Sequence, residues 1–100
     1  MITEKKYYLI GETAKKLSIH DQTIRNYERN NLIKPERTEN GIRLFTKENI
    51  NTITNIILLT QELGLNLSGV KIVFALAKKN KITNDELYDF ILDHKNEFLK

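Results

Sequence analysis

Cysteine and tryptophan are absent from this 100-residue chain, and proline occurs once. Without a thiol there can be no disulfide, no thiolate metal site, no zinc finger and no thiol redox switch. Imidazole is supplied only by His20 and His94, far apart in sequence, so neither a metal site nor a cofactor is expected. With no phosphate-binding glycine loop either, no nucleophile and base are assembled, and an enzyme is not expected. Apolar runs of membrane-spanning length, roughly 20 residues, are also missing. The start, Met1-Ile2-Thr3-Glu4-Lys5, lacks the apolar core of a secretory signal. A cytoplasmic protein with no membrane partner is the expectation.

What is present is enough for one modest core: 40% hydrophobic residues, dominated by Ile and Leu, with only four glycines and eight aromatics. That balance favours a mostly helical fold over a sandwich or barrel. The charge is unevenly placed. Residues 5–47 hold ten Lys/Arg against five Asp/Glu, whereas residues 48–100 hold six against seven. A basic half followed by a near-neutral half fits a nucleic-acid face joined to a partner face, although a lysine-rich solvated surface gives the same count.

Ile10, Ala14 and Leu17 fall at i, i+4 and i+7, the stripe of a short amphipathic helix. Ser18-Ile19-His20 breaks the period, and His20 or Asp21 is placed to cap the next helix, about Asp21 to Asn30. Ile24 and Tyr27 supply its inner side, while Gln22, Arg25, Asn26 and Arg29 share the other. Two short helices, a tight turn and that division of faces make a helix-turn-helix. Amide and guanidinium groups are what base edges in a major groove require. After Pro35, the Glu39-Asn40-Gly41-Ile42 segment predicts a type I′ hairpin, with both Asn40 and Gly41 at positive φ. A hairpin in that place is a wing. Arg37 and Arg43 flank its tip, where they either pair with Glu36 and Glu39 across the hairpin or reach phosphates and the minor groove.

A third helix is expected from about Lys47 to Leu63, capped by Thr46 and stopped by Gly64. Ser68 is placed to cap a short fourth helix, Gly69 to about Ala77, followed by a polar linker, Lys78-Lys79-Asn80-Lys81. Thr83-Asn84-Asp85-Glu86 reads as a capping box. It opens a last helix with Leu87, Ile91, His94 and Phe98 at 4-3-4 spacing, beside Leu92 and Leu99. Such a stripe suits a short helical dimer seam. The expected fold is therefore mostly α: a winged helix-turn-helix with a short β-hairpin wing, then helices, the last a short dimerisation helix. Residues 1–77 would form the DNA-binding domain with a two-helix shelf, and residues 83–100 the dimerisation helix.

Several motifs together resemble the MerR-family transcription regulators: Ile10-Gly11-Glu12-Thr13-Ala14, Thr23 to Glu28, Leu32-Ile33-Lys34-Pro35 and Arg43-Leu44-Phe45-Thr46. Within that family, Ile19 to Arg25 with Tyr27-Glu28-Arg29, Pro35 to Thr38, and Gly64 to Val70 look most like the HspR-type heat-shock repressors. The glutamine-responsive nitrogen repressors share the Asn66 to Val70 connector. The resemblance covers about residues 7–77. It implies a winged helix, a two-helix shelf and an antiparallel helical dimer on a near-palindromic promoter site. By resemblance, Arg25 is the recognition-helix arginine, Tyr27 the backbone-contacting tyrosine and Arg43 the wing arginine on phosphate. The same resemblance implies a DnaK-type chaperone as co-repressor. Two departures stand out. Asp21 replaces a proline common in the subfamily, and the last helix ends at Lys100 where many relatives continue.

The expected DNA-contacting residues are thus Gln22, Thr23, Arg25, Asn26, Tyr27, Arg29, Arg37, Asn40, Gly41 and Arg43, with Leu87, Ile91, His94 and Phe98 at a homodimer contact. Tyr27 also suits core packing. His20 suits a cap before a phosphate contact, and Tyr7, Tyr8 and Phe45 suit the core before base stacking. Two other readings of the chain are an architectural winged-helix factor that bends DNA, like the excisionases, and a helical protein-interaction module with an incidental basic face.

Overall fold

A computed structural model describes residues 5–98. The elements are helices α1 (Ile10–Leu17) and α2 (Asp21–Arg29), strands β1 (Glu36–Arg37) and β2 (Arg43–Leu44), and helices α3 (Lys47–Ile57), α4 (Leu67–Lys79) and α5 (Asn84–Phe98). A π-helical turn, Leu58–Glu62, follows α3. The chain forms two compact units, Met1–Ile50 and Asn51–Lys100. Leu99, expected beside Leu92 on the last helix, lies outside the described residues.

In the first unit, α1 and α2 are separated by a turn too short for either to frame alone. Glu12 accepts from the Leu9 backbone N–H at 2.9 Å, which satisfies one free donor at the start of α1. The helix closes with Ser18 left-handed (φ 56°) and Ile19 N–H bonded to the Ala14 carbonyl at 3.0 Å. This six-to-one bond is the Schellman stop, here made without glycine. His20 is the N-cap of α2 through its backbone carbonyl, and its side chain makes no capping bond. Asp21 stands in the first turn, where its charge suits the helix dipole. At the far end Asn31 adopts φ 61° and Leu32 N–H reaches the Tyr27 carbonyl, which turns Leu32 and Ile33 back into the core.

The wing is a three-residue hairpin. Glu36 pairs with Leu44 and Arg37 with Arg43. The type I′ expectation is corrected: Gly41 has positive φ (81°) and Asn40 does not. Gly41 N–H bonds to the Thr38 carbonyl at 2.9 Å and Thr38 N–H to the Ile42 carbonyl at 2.9 Å. One extra residue in the loop lets a right-handed turn precede a single left-handed glycine, so Asn40 need not be strained. Tyr8 then exchanges both backbone bonds with Phe45, at 2.9 and 2.8 Å, and ties the N-terminal segment to the end of the wing. Phe45, Ile24 and Thr13 are fully buried in this unit, with Ala14, Tyr27, Leu32, Ile33 and Ile50 close behind.

Thr46 caps α3 as expected. Its hydroxyl oxygen accepts from Asn49 N–H at 3.1 Å, and Thr46 N–H donates to the Asn49 carboxamide oxygen at 2.9 Å. In the second unit the helix widens over Leu58–Glu62 and stops at Gly64 (φ 74°). Thr60 donates its hydroxyl to the Ile56 carbonyl at 2.8 Å there, a side-chain bond that competes with the helix ladder. The start of α4 differs from expectation. Asn66, not Ser68, is the cap, accepting from Gly69 N–H at 2.8 Å, because its carboxamide reaches the third residue ahead. The helix also continues through Lys78 and Lys79, cations that favour a helix C-terminus. The Thr83–Glu86 box forms in both directions, 3.1 and 2.9 Å, and opens α5.

Candidate nucleic-acid interface

The first unit presents α2 with two chemically distinct sides. Ile24 and Tyr27 are 0% and 4% exposed, so they anchor the helix and fix its rotation. Rotation set this way leaves Gln22 and Arg29 exposed and Arg25, Asn26 and Thr23 half-buried. Arg25 has no hydrogen-bond or ion-pair partner among the described residues. Its neighbours are braced: Arg29 donates to the Asn26 carboxamide at 3.5 Å, and Asn30 donates to the Asn26 backbone carbonyl at 2.8 Å. With its amide oriented to satisfy both groups, Gln22 accepts from Arg29 Nη1 at 3.2 Å. One face therefore carries a free guanidinium between amides held in place, the donor and acceptor set that reads base edges.

Beside it, Glu28 accepts from both wing arginines: Arg43 Nε at 2.6 Å and Arg37 Nη2 at 2.9 Å. Pairing with Glu36 and Glu39 across the hairpin does not occur. The partner is on α2 instead. Burial works against the Glu28 charge, yet hydrogen bonds from Arg43 and then Arg37, with their positive charges, hold its carboxyl below the ordinary value. Arg37 also donates Nη1 to the Gly41 carbonyl at 3.1 Å, tying the strand to the tip, where Asn40 and Gly41 are exposed.

Of the residues expected at DNA, Gln22, Arg25, Asn26 and Arg29 lie on one side of α2. Arg37, Asn40, Gly41 and Arg43 lie on the hairpin, and the Tyr27 ring goes to the core. Sequence reasoning missed Glu28. Its partners lie nine and fifteen residues ahead, and no helical or strand period connects those positions.

In the second unit α5 divides its stripe. Leu87 and Ile91 are buried at 8% and 2%, inside the unit's own core. His94 and Phe98 instead stand with Phe90 in a ladder of rings, Phe90 to His94 at 4.4 Å and His94 to Phe98 at 6.2 Å between centroids. Phe90 and Phe98 are both about half exposed. Among the described residues no group of three or more His, Asp or Glu side chains is placed to hold a metal, and no helix is long and apolar enough to cross a membrane.

Residues 8–77 match the family model of MerR HTH family regulatory proteins. The chain belongs to the MerR family. This is a family of helix-turn-helix transcription regulators, not of enzymes. The MerR-family chain is similar to a mercuric resistance operon regulatory protein of Bacillus cereus, 34% identical over 86 residues, covering 85% of this chain and 64% of the relative. It is also similar to a heat shock protein HspR of Streptomyces coelicolor, 33% identical over 69 residues, covering 69% of this chain and 46% of that one. The chain thus spans about half to two-thirds of the length of these relatives. Its fold matches the crystal structure of HiNmlR, a MerR family regulator lacking the sensor domain, bound to promoter DNA. That match has a TM-score of 0.66 at 21% identity and covers 93% of this chain and 70% of that one. Such a match places a two-stranded wing after the helix-turn-helix, as in the winged-helix members of the family.

Proposed function

We propose that this MerR-family chain is a sequence-specific DNA-binding transcriptional regulator that works as a homodimer on an inverted-repeat operator. The observation that carries the reading is the open side of α2, where Arg25 stands free between Gln22, Asn26 and Arg29 beside a wing bearing Arg37 and Arg43. In this reading α2 enters a major groove, with Thr23 near the strand at its entrance, and the wing lies along the neighbouring backbone. The related fold bound to promoter DNA supports that docking. The Phe90–His94–Phe98 ladder, with both phenylalanines about half exposed, supports a contact between two copies through α5.

The HspR-like motifs favour a repressor of heat-shock genes with a DnaK-type chaperone as co-repressor. Similarity to the mercuric resistance regulator is just as high, but these 100 residues hold no cysteine with which to bind a thiophilic metal. Selection of bound duplexes from a random pool tests the central reading. A dimer on an inverted repeat returns two half-sites related by a dyad at fixed spacing. Failure to enrich any duplex at low salt would overturn it. Adding a DnaK-type chaperone to the selected duplex and watching for tighter binding tests the co-repressor.

A further inference from the structure

We propose that Glu28 is a positioning residue for DNA binding: it clamps the wing to the recognition helix through Arg37 and aims the outer edge of Arg43 at a backbone phosphate. This inference rests on the DNA-binding reading above and divides the labour between two arginines that the sequence presents as equivalent. Arg37 and Arg43 stand directly opposite each other on the two strands of the wing. Two cations in that register repel, and a two-residue ladder has little else to resist them. Glu28 resolves the conflict by giving one carboxylate oxygen to each: Oε2 to Arg37 Nη2 at 2.9 Å and Oε1 to Arg43 Nε at 2.6 Å.

The two guanidinium groups are nonetheless used differently. Arg37 spends both terminal nitrogens inside the protein, Nη2 on Glu28 and Nη1 on the Gly41 carbonyl at 3.1 Å. It is a strut from helix to wing tip. Arg43 meets Glu28 with Nε alone, and its Nη1 and Nη2 have no partner among the described residues. Those two nitrogens form the edge that grips an anion in a forked geometry. The carboxylate behind them restricts the side chain before any phosphate arrives, so less freedom is lost on binding. Glu28 has a second, opposing effect. Its negative charge lies against the cations that face the backbone, and it weakens their sequence-independent attraction for DNA.

These opposed effects separate Glu28 from a residue that only supports the fold. In Glu28→Gln, affinity for the selected duplex should fall by roughly 10-fold, while affinity for a random duplex should stay level or rise, because phosphate attraction dominates non-specific binding. Arg43→Gln should flatten the dependence of log affinity on log salt by about one, the loss of one phosphate contact, and Arg37→Gln should leave that slope unchanged. In the DNA-free protein, Glu28→Gln and Arg37→Gln should both speed amide exchange at Gly41 and Ile42 while leaving Ile24 protected.

Equal ratios of specific to random affinity in Glu28→Gln and the parent would overturn the proposal. So would an Arg37→Gln slope that drops as far as that of Arg43→Gln, or unaltered wing exchange in both variants. The exchange readout needs no DNA. A parent that binds no duplex would sink the DNA reading, whereas a wing indifferent to Glu28 would sink this inference alone.

Discussion

Asn55 donates its Nδ2 to both the backbone oxygen (3.0 Å) and the side-chain oxygen (3.1 Å) of Asn84, 29 residues further on. Asn84 passes a bond on to the Thr52 hydroxyl at 2.8 Å, so the first turn of α5 is pinned to α3 by a part-buried polar relay. Asn55 is fully buried, and its own oxygen has no partner among the described residues. Its value therefore lies in the donors. Asn55→Ala should cost about 1–3 kcal/mol, since it removes a buried donor shared by two part-buried oxygens of Asn84. Urea unfolding measures that loss, and amide exchange should place it at the start of α5.

The ion pairs of Glu28 predict a pH dependence with a definite sign. Its carboxyl in the folded protein is held below the ordinary value of 4.5. A lowered value means the unfolded chain takes up the proton first, so the pair's stabilisation is complete above about pH 5 and fades as acid titrates Glu28 in the folded state. The stability gap between parent and Glu28→Gln should therefore be widest near neutral pH and shrink with acidification. Denaturation series of both proteins from pH 7 to pH 3 check this, and a gap that widens in acid would contradict it.

Arg25→Ala removes a side chain that bonds to nothing within the described residues. Thermal stability should fall only slightly, since the half-buried side chain gives up some packing but no hydrogen bond. Duplex binding should lose about 1–3 kcal/mol of discrimination if the guanidinium reads a guanine edge. Calorimetric unfolding alongside titration of the selected duplex and its single-base variants separates the two effects.

Lys81 closes α4 in the left-handed region (φ 57°), with Ile82 N–H bonded to the Ala77 carbonyl at 2.8 Å. A side chain with a Cβ resists that conformation, and glycine does not. Lys81→Gly should stabilise the protein by roughly 1 kcal/mol in urea unfolding, because the left-handed penalty of about 1–2 kcal/mol is offset in part by glycine's greater freedom when unfolded.

The divided stripe of α5 gives opposite expectations for neighbouring residues. Leu87→Ala and Ile91→Ala empty core positions and should each cost about 2–5 kcal/mol. Phe90→Ser and Phe98→Ser alter exposed rings. They should leave the fold intact and weaken self-association in sedimentation equilibrium. If both Ser variants associate as strongly as the parent, the α5 contact between copies is wrong.

The helix-turn-helix and the wing were legible because their signals are local. Ile24 and Tyr27 sit three apart on one face of α2, and the polar Gln22, Arg25 and Arg29 fall opposite by helical period alone. Thr46 and Thr83 announce their helices through residues three positions on. Structure and local pattern part where two local solutions compete. Asn66 and Ser68 both suit a cap, and the choice depends on which oxygen reaches a free N–H. Asn-Gly suits a two-residue or a three-residue hairpin, and the register of Arg37 against Arg43 selects the latter.

Identity of residue and period along the chain thus determined the helices, the wing's location, the basic bias of the first half and the side of α2 that holds Arg25. Only three-dimensional packing decided that Leu87 and Ile91 serve their own unit while Phe90 and Phe98 stay outside, and that Glu28 joins α2 to the wing. The reason is range. Backbone propensities and caps act within a few residues, whereas a carboxylate and the arginines nine and fifteen positions away meet only after a turn and a core have brought their backbones together.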